Sequence, residues 1–226
     1  ALCHLLYHRR MTVPAAPLAV TLPVHGSADR FTVRRIFCVG RNYAEHSLEM
    51  GGDPTREAPF FFTKPADAVV VSGSTIPYPP MTADLHHEAE LVVAIGTGGA
   101  DIALSDAPAH IWGHAAGNDL TRRDLQAQAK AARRPWDMAK GFDNSAVIGA
   151  LHAGMIGDAT ITCTVGNRVT QSARLSDMIW SVPEIIAELS RYVTLQAGDL
   201  IFTGTPAGVG PIRRGQTCTV AIGGLS

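Results

Sequence analysis

The sequence predicts a single β-rich α+β domain, on three observations. Short apolar or β-branched runs recur along the chain, among them Ile36 to Val39, Val69 to Val71, His86 to Ile95 and Leu200 to Thr203. Only a few segments carry the pattern of a helix. No repeat, low-complexity tract or linker separates the two kinds of element, so they belong to one core. The 226 residues, 46% hydrophobic and 17% charged, are ample for such a core.

Taken in order, residues 1–30 read as an N-terminal arm and 31–226 as the folded domain. The ten residues before Met11 are set aside, because their arginines follow the apolar part, the reverse of a secretory signal. After Ile36 to Val39, Gly40 ends a strand. Asn42 to Met50 is helix-competent and stops at Gly51-Gly52, and a helix there places His46 and Glu49 on one face. Pro59 to Pro65 predicts a short buried strand stopped by proline, and His86 to Ile95 is the most strand-like segment. A short helix that starts at Ser105 and includes Ala107 to His110 precedes a strand through Ala115 that leads to Gly117-Asn118-Asp119. Arg122 to Arg133 reads as a polar helix. Ser181-x-x-Glu184 is a capping box, with Pro183 in the first helical turn. Gly198-Asp199 turns the chain into Leu200 to Thr203, and a glycine-rich loop, Gly204 to Gly210, follows.

Composition narrows the partners. The net charge of -1 comes without a basic patch, which argues against nucleic acid. No apolar stretch is long enough to span a bilayer. Cys3, Cys38, Cys163 and Cys218 lie far apart with no zinc-ligand spacing, so a reducing, cytoplasmic protein is expected, with Cys38 a buried free thiol.

The chemistry concentrates on one strand. Alternation along His86 to Val93 points Glu88 and Glu90 to the same side, with His87, Ala89, Leu91 and Val93 on the other. Two carboxylates side by side on an apolar strand repel, and a dication relieves that conflict. The competing reading is an edge strand with a wet polar face; Leu91 to Ile95 favour a central strand and hence the metal. Asp119, at a strand end, is a candidate third ligand or, alternatively, the N-cap of the following helix. Spacing leaves both open.

Several blocks, in order, then resemble one family: Cys38 to His46, Phe62-Thr63-Lys64-Pro65, His86 to Leu91, Asn118 to Gln126, Ala139 to Asp143 and Gly198 to Gly210. Together they resemble the fumarylacetoacetate hydrolase family, and within it the short acylpyruvate and fumarylpyruvate hydrolases. The resemblance implies mixed sheets rolled into a sandwich or barrel-like core with a few peripheral helices, usually as a homodimer. It implies that Glu88, Glu90 and Asp119 are ligands of Mg2+ or Mn2+, with Ca2+ as an alternative. It implies catalytic roles for His46, Glu49 and Lys140, and substrate contacts for Arg123, Gln126, Thr205 and Lys64. On residue pattern alone, Arg123 and Gln126 would be a solvated helix face, Lys140 a loop lysine and Thr205 part of a turn. The expected substrate is a small 2-oxo or 2,4-dioxo acid, cleaved by water that His46 activates. Oxaloacetate decarboxylase, a dienoate isomerase, or a non-catalytic metal-binding protein are the rival readings.

Overall fold

A computed structural model describes residues 15–16, 18–51 and 57–226. The segment before Met11, Cys3 and Gly52 of the glycine pair lie outside the described residues. Along the chain, β1 (Thr21–Pro23) and β2 (Arg30–Thr32) form a hairpin and lead into β3 (Arg35–Gly40), helix α1 (Ala44–Glu49) and β4 (Phe60–Lys64). Then come β5 (Val69–Val71), β6 (Leu85–His87), β7 (Ala89–Ile95), β8 (Ile111–Asp119) and β9 (Thr121–Arg122). Helices α2 (Arg123–Ala131) and α3 (Asp137–Lys140) precede β10 (Ala146–Ile148), β11 (His152–Ala153), β12 (Thr160–Val165) and β13 (Arg168–Arg174). Helix α4 (Val182–Tyr192), β14 (Asp199–Phe202), β15 (Gly210–Pro211) and β16 (Cys218–Ile222) follow.

The centre is an eight-stranded mixed sheet in the order β4-β3-β14-β7-β8-β10-β5, with β11 also paired to β8. Its β3–β14 and β5–β10 pairs are parallel, the remainder antiparallel. Two three-stranded sheets, β13-β12-β16 and β15-β6-β9, complete a sheet-rich α+β fold.

Both faces of the central sheet are covered, which is why its inner strands read as continuous apolar runs. Leu91, Val93 and Ile95 of β7 pack with Ile161 of β12 and with Ile185, Ile186 and Leu189 of α4. Val92 and Ala94 face the opposite way, toward Leu22, Ile148, Leu200 and Phe202. Leu22 lies in the segment expected to be an arm, yet it is fully buried, a contribution of about 1.5–3 kcal/mol for such a side chain. Helix α4 begins where the capping box places it, with the Ser181 N–H donating to the Glu184 carboxylate at 2.9 Å. Among the described residues no helix is long and apolar enough to cross a membrane.

Three elements differ from their sequence expectation. Strand β4 is an edge of the sheet rather than a buried strand: Lys64 is buried, while Phe60, Phe61 and Phe62 keep part of their surface and pack ring-to-ring with Trp136 and Tyr192. The acidic segment is two strands, not one. At Glu88 the main-chain N–H donates to the Asn118 side chain (3.0 Å), so β6 swings away to pair with β9 and β15 while β7 stays in the central sheet. Helix α2 starts at Arg123, after the short β9, so Asp119 stands outside it. Cys38 is buried and free as expected, whereas Cys163 and Cys218, distant in sequence, come to 3.4 Å Sγ to Sγ as free thiols.

Candidate metal centre

Strands β7 and β8 bring the acids together. Glu90 lies opposite Gly117, and the Asp119 N–H donates to the Glu88 carbonyl at 2.9 Å, so the three side chains leave neighbouring strand ends. Each of Glu88, Glu90 and Asp119 offers a carboxylate oxygen within 4.8 Å of the others. Their exposures of 4%, 2% and 0% rule out the wet edge strand. The helix N-cap reading of Asp119 also falls, because α2 is preceded by Arg122 and the Asp119 carboxylate meets two lysines instead.

The surrounding charges treat the three acids unequally. Lys140 Nζ lies 2.6 Å from Glu88 Oε2 and 2.7 Å from Asp119 Oδ2, and Arg123 Nη2 lies 2.6 Å from Glu88 Oε1. Burial raises the Glu88 carboxyl, but Lys140 and Arg123 outweigh it and hold the group well below the usual carboxylate range. Burial, with Asp119 and Glu88 as like-charged neighbours, pushes Glu90 well above that range; the Gly204 N–H, donating at 2.7 Å, offsets only part of this. Lys140 itself is raised: burial lowers it, yet Asp119 and Glu88 prevail, so it is an ammonium and a hydrogen-bond donor.

These residues fit a divalent cation. They are hard oxygen donors, which suit Mg2+ or Mn2+. One, Glu90, is a buried carboxyl with no ammonium or guanidinium within ion-pair distance among the described residues. Asp119 Oδ1, 2.7 Å from Lys64 Nζ, has no hydrogen-bond donor aligned on it.

Lys64, expected at the substrate, stands behind the acids. Its side chain is fully buried, and its ammonium donates to the Leu120, Lys140 and Ser145 carbonyls besides pairing with Asp119. It does not line the cavity, because its donors are spent on the chain that carries Asp119 and Lys140. Lys64→Met should therefore cost about 3–5 kcal/mol of stability, the loss typical of breaking a buried ion pair. A denaturant titration checks this; an unchanged midpoint would mean that the pair is idle.

One cavity is lined by His46, Glu88, Glu90, Arg123, Gln126, Lys140 and Thr205. Arg123 Nη1 donates to Gln126 Oε1 at 2.6 Å, which leaves the amide NH2 as the group Gln126 can offer. His46 Nδ1 lies 3.1 Å from Glu49 Oε2, and the same carboxylate accepts the Gly208 N–H at 3.2 Å. This fastens α1 to the glycine-rich loop. Gly208 is obligatory there, with φ +94° and the Thr170 carbonyl 2.0 Å from where a Cβ would sit. Burial lowers the His46 pKa against the opposing pull of Glu88 and Glu49, so the ring is neutral near pH 7. A second cavity, mostly apolar and lined by Leu91, Val93, Met155, Ile156 and Met178 among others, carries none of the predicted groups.

Gln171 escaped the sequence reading. It is buried on β13, accepts the Ala89 N–H at 3.0 Å, and donates to Thr205 Oγ1 and the Pro206 carbonyl at 2.8 and 2.7 Å. Thr205 is thus held with its own hydroxyl hydrogen free to donate. A glutamine within Arg168–Arg174 looks like any half-solvated strand position, so nothing in its neighbourhood marks it. Asn42 and Asn118 lie in the blocks already noted but had no role; Asn42 ties the start of α1 to Trp180 and Thr203.

The family model described as Fumarylacetoacetate (FAA) hydrolase C-terminal matches residues 35–226. The chain belongs to the fumarylacetoacetate hydrolase family. Among family members of known structure, the fumarylpyruvate hydrolase from Pseudomonas aeruginosa, crystallised with Mn2+ and pyruvate, is 49% identical, with a TM-score of 0.91 and 96% of each chain covered. The fumarylpyruvate hydrolase of Ralstonia sp is 41% identical over 177 residues, 77% of this chain and 92% of its own. The mitochondrial oxaloacetate decarboxylase of Dictyostelium discoideum is also 41% identical, over 199 residues, 86% of this chain and 91% of its own. Family members with different reactions thus match to a similar degree, and similarity alone does not choose among them.

Proposed function

We propose that this chain is a metal-dependent hydrolase that cleaves the carbon–carbon bond of a 2,4-dioxo acid, fumarylpyruvate above all, to pyruvate and a second carboxylate. The observation that carries the proposal is His46, paired with Glu49, in the same cavity as Glu88 and Glu90 of the carboxylate triad. A decarboxylase has no water to activate; a hydrolase needs such a base.

The charge of the site favours an anionic substrate. Glu88, Glu90 and Asp119 are opposed by Lys64, Lys140 and Arg123, so a bound dication leaves a net positive centre. A divalent cation there supplies a Lewis acid and a fixed positive charge for a 2-oxo acid. Arg123 and the Thr205 hydroxyl hold the carboxylate end. Glu49 takes the Nδ1–H of His46, which leaves Nε2 to accept a proton from water. The water oxygen bonds to the 4-carbonyl carbon, and the Gln126 NH2 and the Lys140 ammonium donate to the oxyanion that forms. The bond between the 3- and 4-carbons then breaks, its electron pair passing into the enolate of pyruvate. His46 returns its proton to the 3-carbon, and the second acid departs as a carboxylate once the hydroxyl proton left from water passes to solvent.

Oxaloacetate decarboxylation is a second reading, supported by the relative of that name. Supplying fumarylpyruvate and oxaloacetate in parallel with Mn2+ separates the two. We expect pyruvate with an equal amount of fumarate and no CO2 from the first, faster than any CO2 release from the second. Addition of a chelator should stop both. Efficient CO2 release without fumarylpyruvate cleavage would transfer the assignment to the decarboxylase, and turnover that survives the chelator would remove the metal from the account.

A further inference from the structure

The cations already described are each committed to a carboxylate, but two more line the same cavity and, among the described residues, are not. Arg41 follows β3, and Lys130 sits near the end of α2. Among the described residues neither lies within ion-pair distance of an acid. Lys130 Nζ rests 5.2 Å from the centre of the Trp136 ring and Arg41 Cζ 5.9 Å from that of Phe60. The two rings meet edge-on at 5.4 Å, so one aromatic wall carries both charges. The wall is set firmly: a Cβ at Gly40 would fall 1.9 Å from Phe60 Cζ, so the ring occupies space that only glycine leaves open. Arg41 is held with φ +59°, an uncommon conformation for a side-chain-bearing residue. Burial lowers the Lys130 pKa, and the nearby Arg123 and Arg41 charges lower it further against the opposing pull of Glu88.

We propose that Arg41 and Lys130 form a distal anion subsite, which selects 2-oxo acids bearing a second carboxylate at the end remote from the metal centre. Arg123, Lys140 and Thr205 receive the first carboxylate and the carbonyls. The aromatic wall of Phe60 and Trp136 flanks the chain between. The far carboxylate then matches an exposed Arg41 and a half-buried Lys130, neither with an acid partner among the described residues. The inference rests on the cavity being a 2-oxo acid site, and it names the class within that site: dicarboxylates rather than simple acylpyruvates.

The test is binding, so that it does not depend on turnover. With Mn2+-loaded protein, calorimetry compares 2-oxoheptanedioate with 2-oxoheptanoate, which share a chain length, lack the 4-carbonyl and differ in the distal carboxylate. The wild type should bind the diacid about tenfold more tightly at low salt, the scale of a partly exposed charge-assisted contact, with the margin shrinking as ionic strength rises. In the double variant Arg41→Gln, Lys130→Gln the ratio should fall to about one through loss of diacid affinity, while Lys130→Arg should keep the preference. Equal binding of the two acids by the wild type, or parallel loss of both in the double variant, overturns the subsite and leaves the 2-oxo acid reading in place. If neither acid binds while Mn2+ does, the 2-oxo acid reading fails and the subsite with it.

Discussion

Glu90→Gln is expected to weaken Mn2+ binding by at least about 100-fold, since losing even an outer partner of a metal ligand costs about 10–100-fold, and to abolish turnover. Glu88 and Asp119 each already face ammonium or guanidinium groups. Glu90 has a backbone N–H and, among the described residues, no such partner, so it contributes the negative charge that these groups leave uncompensated. Glutamine keeps the volume and retains an oxygen for the Gly204 N–H, so the strand should stay intact. A second signature follows from the raised Glu90 pKa. In the metal-free protein the carboxyl keeps its proton above the normal carboxylate range; the cation needs the ionised form and expels that proton. Affinity should therefore rise with pH, by up to about tenfold per unit, until Glu90 ionises unaided. Calorimetry in two buffers of different ionisation enthalpy reads the released proton, and Glu90→Gln should release none. Undiminished Mn2+ binding by this variant would show that the acids do not share an ion.

The parts of this site that could be read from the sequence are those built on local periodicity. Alternation placed Glu88 and Glu90 on one side, and the apolar runs around Val39, Val92 and Ile201 marked strands that the structure buries on both faces. The break at Glu88 was hidden because an Asn118 side chain, thirty positions away, replaces a neighbouring strand as the partner of the main chain. Residue pattern could not place Lys64, whose meaning depends on four acceptors brought from three later segments. Gln171, Arg41 and Lys130 have the same difficulty. A glutamine on a strand, an arginine after a glycine and a lysine on a polar helix are ordinary solvated residues until the fold withholds their solvent or their counter-ions. Family resemblance supplied Arg123, Gln126 and Thr205 because it carries tertiary information that periodicity lacks. It supplied no counter-ion inventory, and that inventory is what distinguishes the committed cations from those with no acid partner among the described residues.

His46→Ala should leave Mn2+ affinity intact and lower the rate of acylpyruvate hydrolysis by about 10²–10⁴-fold, the usual contribution of a general base. The His46 side chain is 8% exposed and held by Glu49, which itself is fastened to the Gly208 N–H, so base, orienting carboxylate and glycine-rich loop are tied together. Burial lowers the His46 pKa, and a base acts only when unprotonated. The acid limb of kcat/KM should consequently lie below about pH 6.5, the ordinary histidine value. Glu49→Gln removes a charge that holds the ring's proton, so the limb should move further toward acid while the plateau falls with the loss of orientation. The decisive comparison is between two reactions of one variant. Water attack requires His46, whereas loss of CO2 from oxaloacetate involves no water, so His46→Ala should spare whatever decarboxylation the wild type shows. Unimpaired hydrolysis would remove His46 from the chemistry. Parallel loss of both activities, with the metal still bound, would instead place His46 in what the two reactions share, closure of α1 over the cavity or protonation of the pyruvate enolate, rather than in the activation of water.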